Sequence, residues 1–262
     1  MDQPVAERVR HELKFRLAEV VRTERITPLM ARITFGDPSF AEFPSLAYDD
    51  HVKIFFAPKG SEPVMPVPGP NGAEWPAGAP KPEARDYTPR SFNREKSEMV
   101  IDFVLHDGGV AADWAANARP GDRLGIGGPR ASFVVRNDLD FYVLIGDETA
   151  LPAIGRRIEE LPAGTRVKAI IEVAGTAERQ TFATAAAVDL TWVERSAGHS
   201  LVEAVKTAAI PQGHGYIFIA GEASVSASLR DYFVGLGHDP DLIKAAGYWR
   251  RGESDFYDGH EH

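Results

Sequence analysis

The sequence predicts two domains, an antiparallel β-barrel followed by an α/β domain with a parallel sheet. Three observations carry that prediction. The amino-terminal part runs in short alternating stretches, a proline-rich segment interrupts them, and from Asp138 onward apolar runs alternate with helix candidates. A chain of 262 residues has room for one or two domains.

Lys14 to Arg22 and Ala31 to Phe35 alternate apolar and polar residues, and Val52 to Ala57 is nearly continuous apolar behind His51, so residues 14 to 57 read as antiparallel strands. Between Pro58 and Ala84 lie eight of the nineteen prolines and four glycines, a composition that sustains neither helix nor central strand. This segment is a long excursion. Arg85 to Phe92 is again β-like, Met99 to Leu105 is a strand, Val110 to Asn117 a short helix, and Arg119-Pro120-Gly121-Asp122 a turn before a strand ending at Gly127-Gly128-Pro129-Arg130. The pattern fits a small barrel interrupted once by a helix. Phe141 to Ile145, a helix from Thr149 to Leu161 and Val167 to Val173 then make a βαβ unit. Strands at Leu190 to Val193 and Tyr216 to Ala220 alternate with helices at Leu201 to Ala208 and Ser224 to Leu236, and Leu242 to Tyr248 is a last strand or an extended tail. The boundary falls near residues 131 to 138, giving domains at 1–135 and 136–262.

Composition narrows the function. Twenty-nine Lys and Arg against thirty-eight Asp and Glu leave a net charge of −9, which argues against a general nucleic-acid binder while leaving room for a local basic pocket. The absence of cysteine excludes disulfide scaffolds, thiolate metal sites and cysteine nucleophiles, and no metal-ligand set is singled out. The charged amino terminus and the lack of a long apolar run predict a cytoplasmic protein that does not engage a membrane, with a monomer as the default.

The segment Arg85-Asp86-Tyr87-Thr88-Pro89-Arg90 can offer an aromatic ring, a hydroxyl and two cations to a flat, phosphate-bearing ligand; on spacing alone it serves equally as an exposed strand with a surface ion pair. Asp102-Phe103-Val104-Leu105-His106 leads through Gly108-Gly109 into a helix starting with the small residues Ala111 and Ala112, whose N–H groups suit a pyrophosphate. Such a turn is also an ordinary helix cap, and His106 alone reads as a structural histidine. Gly125-Ile126-Gly127-Gly128-Pro129-Arg130 ends in Arg where a dinucleotide fingerprint needs a third glycine and does not open the βαβ unit, so it is rejected as one. No Gly-x-Ser-x-Gly elbow is present.

Taken in order, the Arg-x-Tyr-Thr-x-Arg at 85 to 90, the motif beginning at Asp102, Gly128-Pro129-Arg130, the stretch Gly146 to Ala153, Gly221-Glu222-Ala223 and the stretch Gly247 to Gly252 together resemble the siderophore-interacting protein family of flavin-dependent ferric-siderophore reductases. The resemblance runs from about residue 15 to the end; the last dozen residues, with His260 and His262, lie outside it. It implies a ferredoxin–NADP reductase-like fold, with a flavin-binding barrel and a nucleotide-binding domain whose tail returns to the flavin site. By the same resemblance Tyr87 packs on the isoalloxazine, Thr88 approaches its reactive nitrogen edge, and Arg85 or Arg90 holds the FAD phosphates. Asp102, Val104 and His106 border the flavin, Gly109, Ala111 and Ala112 bind the pyrophosphate, and Asp147, Glu148 and Thr149 touch FAD or NAD(P)H at a strand end, where ligands bind in parallel sheets.

The resemblance also implies an anionic ferric siderophore as substrate, bound by Lys53, Arg130 and Arg250, each of which alone is equally a solvated surface charge. Arg250 and Arg251 point to opposite sides of an extended tail, and Arg250 is the candidate. Tyr248 or Trp249 covers the flavin or simply plugs the core. Electrons come from NADH, NADPH or ferredoxin; Arg179, or Arg195 with Ser196, is the cation set for a 2′-phosphate. Two rivals stand beside this reading: a reductase acting on ferredoxin or flavodoxin, and a non-enzymatic binder of iron chelates.

Overall fold

The structure, a computed structural model, describes residues 4–57, 61, 63–70, 72–79, 82–253 and 256. His260 and His262 and parts of the proline-rich excursion lie outside the described residues. The chain divides into two units, Ala6–Val134 and Val135–His262, the second also taking in Val5, whose carbonyl accepts from Arg136 N at 3.0 Å.

In the first unit the strands are β1 (Ala6–Arg10), β2 (Phe15–Thr27), β3 (Met30–Gly36), β4 (Val52–Phe56), β5 (Val67–Gly69), β6 (Gly72–Glu74), β7 (Glu83–Tyr87), β8 (Pro89–Asn93), β9 (Glu98–Val104), β10 (Arg123–Gly127) and β11 (Ala131–Val135), with helix α1 (Val110–Asn117) between β9 and β10. Seven of them form one antiparallel sheet in the order β7-β4-β10-β2-β3-β9-β8. Its two edges, β7 and β8, are joined by Thr88 alone, so the sheet must roll on itself to bring them together. The inward positions fill the roll with Ile33, Phe35, Ile54, Ile101 and Phe103, against which Tyr87 and Trp114 pack.

In the second unit β12 (Phe141–Gly146), α2 (Leu151–Glu160), β13 (Arg166–Val173), β14 (Ala187–Glu194), α3 (Leu201–Thr207), β15 (Gly215–Glu222), α4 (Ala223–Gly235) and β16 (Ile243–Trp249) build a parallel sheet in the order β14-β13-β12-β15-β16. Every residue of central β12 is buried, which is why it reads as an unbroken apolar run. Strand order reverses between β12 and β15, and the ligand crevice of such a sheet lies beyond the carboxyl ends at that point, here beside Asp147 and Glu222. The molecule therefore has the ferredoxin reductase-like architecture of an antiparallel barrel followed by a parallel α/β sheet.

Several element boundaries differ from the predicted ones. Arg85 to Phe92 is two strands rather than one, because Pro89 has no N–H to continue the first ladder and the chain changes partner at Thr88, from β4 to β9. Strand β2 runs on to Thr27, since beyond Glu19 it has only β3 beside it and its second half is solvated and polar, without apolar alternation. Within the excursion, β5 and β6 pair with each other and, among the described residues, with no other strand. The last segment resolves as an edge strand, β16, parallel to β15.

Candidate functional site

Consecutive burial of Pro89 and Arg90 breaks the alternation expected of a strand, and the register with β9 slips between Pro89 and Ser91. Arg90 is the extra residue of this β-bulge, a device that re-aims a side chain. It is turned into the protein at 7 % exposure, its Nε 3.9 Å from Asp102 Oδ2. Arg32 Nε and Nη2 donate to the two oxygens of Asp102 at 2.7 and 2.8 Å. Asp102 is thus held by one arginine and orients a second. Tyr87 packs against Phe103 with ring centroids 4.5 Å apart, and burial pushes its phenol pKa up, so the ring stays neutral. Thr88 is buried at the joint of β7 and β8, and Arg85 Nη2 lies 3.2 Å from Glu83 Oε2.

From Val104, at the end of β9, the chain passes His106, whose Nδ1 faces Asp107 O at 3.1 Å, and enters α1 on Gly109. Among the described residues no side chain caps this helix. A Cβ on Gly109 would lie 2.5 Å from His106 Cε1, so the ring sits directly against the helix entry. Ala111 and Ala112 are buried in the first turn, and Trp114 packs on Phe35 and Phe103. Uncapped first-turn N–H groups, a buried guanidinium and a neutral aromatic ring make a donor set that fits a planar ligand bearing phosphates.

Register places Lys53 and the Gly128-Pro129-Arg130 turn near one corner of this unit's sheet. Lys53 pairs in register with Gly127 on β10, and a Cβ on Gly128 would lie 3.7 Å from His51 O and 4.0 Å from Val52 Cα, which places the Gly128-Pro129-Arg130 turn beside the start of β4. Lys53 is also in register with Asp86, and its Nζ donates to both Asp86 oxygens at 2.7 and 2.9 Å. Sequence reasoning did not find the residues that hold this corner. Arg16, whose guanidinium pKa burial lowers, donates through Nη1 to Gly128 O at 2.7 Å and through Nε to Ser39 Oγ at 2.8 Å. Asp50 accepts from Ser132 Oγ, Ser45 Oγ, Leu46 N and Ala47 N, and burial raises its pKa. The Arg16–Gly128 and Ser132–Asp50 contacts join segments 112 and 82 residues apart and leave no local signal, whereas the bonds from Ser45, Leu46 and Ala47 to Asp50 close a local turn.

In the second unit Asp147 joins three strand ends. Its Oδ1 accepts from Thr149 N at 2.9 Å and Thr149 Oγ1 at 2.6 Å, and its Oδ2 accepts from Glu222 N at 3.1 Å and Trp249 Nε1 at 2.8 Å. Gly221, at φ 139°, has no room for a side chain: a Cβ would lie 2.5 Å from Asp147 Oδ2. Burial raises the Asp147 pKa. Glu148 forms a two-armed ion pair with Arg195, which also reaches Glu172 Oε1 at 3.2 Å; the hydrogen bonds to Glu148 are the main reason the Arg195 pKa is raised. Arg179 is ion-paired with Glu194. Both cations predicted for a 2′-phosphate are therefore held by carboxylates. Trp249 is anchored through its indole N–H, Arg250 lies 3.4 Å from Glu253 and over the Phe256 ring, and Arg251 N donates to Glu222 Oε1 at 3.4 Å.

The same two-part organisation appears in comparisons with known proteins. Residues 19–133 match the siderophore-interacting FAD-binding domain, and residues 139–252 match the siderophore-interacting protein domain. The chain is 36% identical over 247 residues to an NADPH-dependent ferric-chelate reductase of Escherichia coli, covering 93% of this chain and 96% of that one. A siderophore utilization protein from T. fusca superposes with a TM-score of 0.88 at 38% identity, over 97% of this chain and 99% of the other. The ferredoxin reductase of carbazole 1,9a-dioxygenase, at 15% identity and a TM-score of 0.64 over 90% of this chain and 70% of its own, shares the fold.

Proposed function

The chain belongs to the siderophore-interacting protein family, and from that premise we propose that it is an FAD-dependent reductase that converts Fe(III) held in a siderophore to Fe(II). The observation that carries the reading is the bulge at Arg90, which turns a guanidinium inward on the chain that also bears Tyr87 and runs beside the strand leading into the uncapped start of α1. FAD, when bound, supplies the conversion between two-electron and one-electron transfer.

The residues provide binding and electrostatics. Arg90, oriented by Asp102, and Arg85 neutralise phosphate charge, and the backbone N–H groups of Ala111 and Ala112 donate to it, with Gly109 allowing close approach beside His106 and Val104. Tyr87 presents a ring kept protonated by burial, and Thr88 a hydroxyl at the joint of β7 and β8. Residues 1–135 serve the flavin and residues 136–262 the nicotinamide donor, with Asp147, Glu148 and Thr149 at the strand ends. Lys53 and Arg130 attract an anionic ferric chelate, and Arg250 is the third cation assigned to it. One NADH or NADPH carries two electrons and so reduces two Fe(III) ions by one electron each; ferredoxin is the alternative donor. Fe(III) is a hard cation held by anionic oxygens, and lowering its charge weakens those bonds, so iron is released where the reduction occurs, in our reading the cytoplasm. Among the described residues no helix is long and apolar enough to cross a membrane.

The test is anaerobic. The FAD-loaded protein is reduced chemically and titrated with a ferric siderophore in the presence of a ferrous-specific trap. Recovery of the oxidised flavin spectrum with a matching amount of trapped Fe(II) is expected; a flavin that binds and stays reduced overturns the proposal and points to a protein acceptor.

A further inference from the structure

Lys53, one of the cations assigned to the substrate, lies on β4 beside the strand that bears Tyr87, and it already has a partner. Register pairs Lys53 with Asp86 across β4 and β7, and both carboxylate oxygens accept from Nζ, at 2.7 and 2.9 Å. Asp86 alternates with Arg85 and Tyr87 along β7, so it faces away from the ring and cation assigned to the flavin and toward the side that carries Lys53. The pair is open to solvent, with side chains 43% and 32% exposed. An exposed pair of this kind is weak, and displacing one partner changes an equilibrium by no more than about fivefold.

We propose that Asp86 is a specificity-determining residue that sets a charge threshold at Lys53, so that multiply anionic ferric chelates capture the ammonium while neutral chelates leave it paired. The inference rests on the assignment of Lys53 to the substrate. Asp86 already opposes the ammonium charge with a negative charge of its own, so a ligand gains there only if it brings more negative charge than Asp86 does. A trianionic tris-catecholate chelate meets that condition and a neutral tris-hydroxamate chelate does not. Arg130, two residues beyond Gly128 in the turn beside the start of β4, lies near the same corner of the sheet and adds to the attraction for the trianion.

The test uses FAD-loaded protein and redox-inert Ga(III) chelates, so that binding is read without turnover. Isothermal titration with Ga(III) tris-catecholate and Ga(III) tris-hydroxamate is run on the wild type, Asp86→Asn, Asp86→Ser, Lys53→Ala and the Lys53→Ala/Asp86→Asn double variant, with bound flavin absorbance as the folding control. Both Asp86 variants are expected to tighten the tris-catecholate by about fivefold and leave the tris-hydroxamate unchanged, and the gain should shrink in the Lys53→Ala background to the part due to direct repulsion of the trianion by Asp86; an equal gain there overturns the threshold. If Lys53→Ala weakens the trianion but the Asp86 variants bind it as the wild type does, the threshold is overturned and the substrate role of Lys53 survives. If Lys53→Ala also leaves binding unchanged, the substrate role falls and the threshold with it.

Discussion

Asp147 is a carboxylate whose four accepted hydrogen bonds all come from its own protein, and they join the turn after β12, the end of β15 and the Trp249 indole on β16. At 5 % exposure its charge is removed from water, and burial holds its pKa above the ordinary carboxylate value in spite of those donors. The folded protein therefore binds this proton more tightly than the unfolded chain, and ionised Asp147 costs stability at neutral pH. That cost is relieved as pH falls through the raised folded pKa toward the unfolded value near pH 4. Asp147→Asn cannot take up the proton. Urea unfolding at pH 7 and pH 4 should show the stability of the wild type relative to the variant growing on acidification, and an identical difference at the two pH values would contradict this account. Asp50, whose pKa is also raised by burial, contributes with the same sign in both proteins and cancels in the comparison.

At the scale of elements, the entry to α1 combines a fold requirement with a site requirement. A Cβ at position 109 would meet the exposed His106 ring at 2.5 Å, and that ring can swing away, so Gly109→Ala should fold with a loss of about 0.5–1 kcal/mol at the cap position. It should weaken FAD binding nonetheless, because the displaced imidazole and the new methyl group crowd the first-turn N–H groups. Thermal melting and FAD titration separate the two effects, and unchanged FAD affinity would remove the helix entry from the flavin site. Elements of this kind were legible where burial imposes a period: β12 is buried on both faces and reads as a continuous apolar run, and the βαβ rhythm that follows it is clear. The second half of β2 was not, because Val21 to Arg25 are all exposed and keep no apolar alternation. The sequence-predicted site residues of the first unit fall on β4, β7, β8, β9 and α1, on the joint between β7 and β8, on the link from β9 to α1 and on the turn after β10. What their spacing does not contain is the partner of each: Asp86 for Lys53, Arg32 for Asp102 and Arg16 for the Gly128 turn are register contacts between segments as much as 112 residues apart.

At the scale of the whole molecule, a net charge of −9 sets a repulsive far field against the anionic chelate that Lys53, Arg130 and Arg250 are proposed to attract. The two act over different ranges. Net charge is felt before contact and is screened beyond about 10 Å at 0.1 M salt, whereas the cations act within contact distance of the bound chelate. Charge repulsion governs the encounter and local attraction governs the bound state, so salt should affect them in opposite directions. If the local cations dominate, raising ionic strength should raise KM for a trianionic ferric chelate, leave kcat unchanged and leave a neutral chelate unaffected. In Lys53→Ala the salt slope for the trianion should flatten, because one of the screened attractions is gone. The measurement is steady-state kinetics with both chelates between about 20 and 300 mM salt, a span over which the screening length shortens severalfold. A KM for the trianion that falls with salt would mean that the far field of the acidic molecule outweighs its local cations, and the basic site would then have no role in substrate capture.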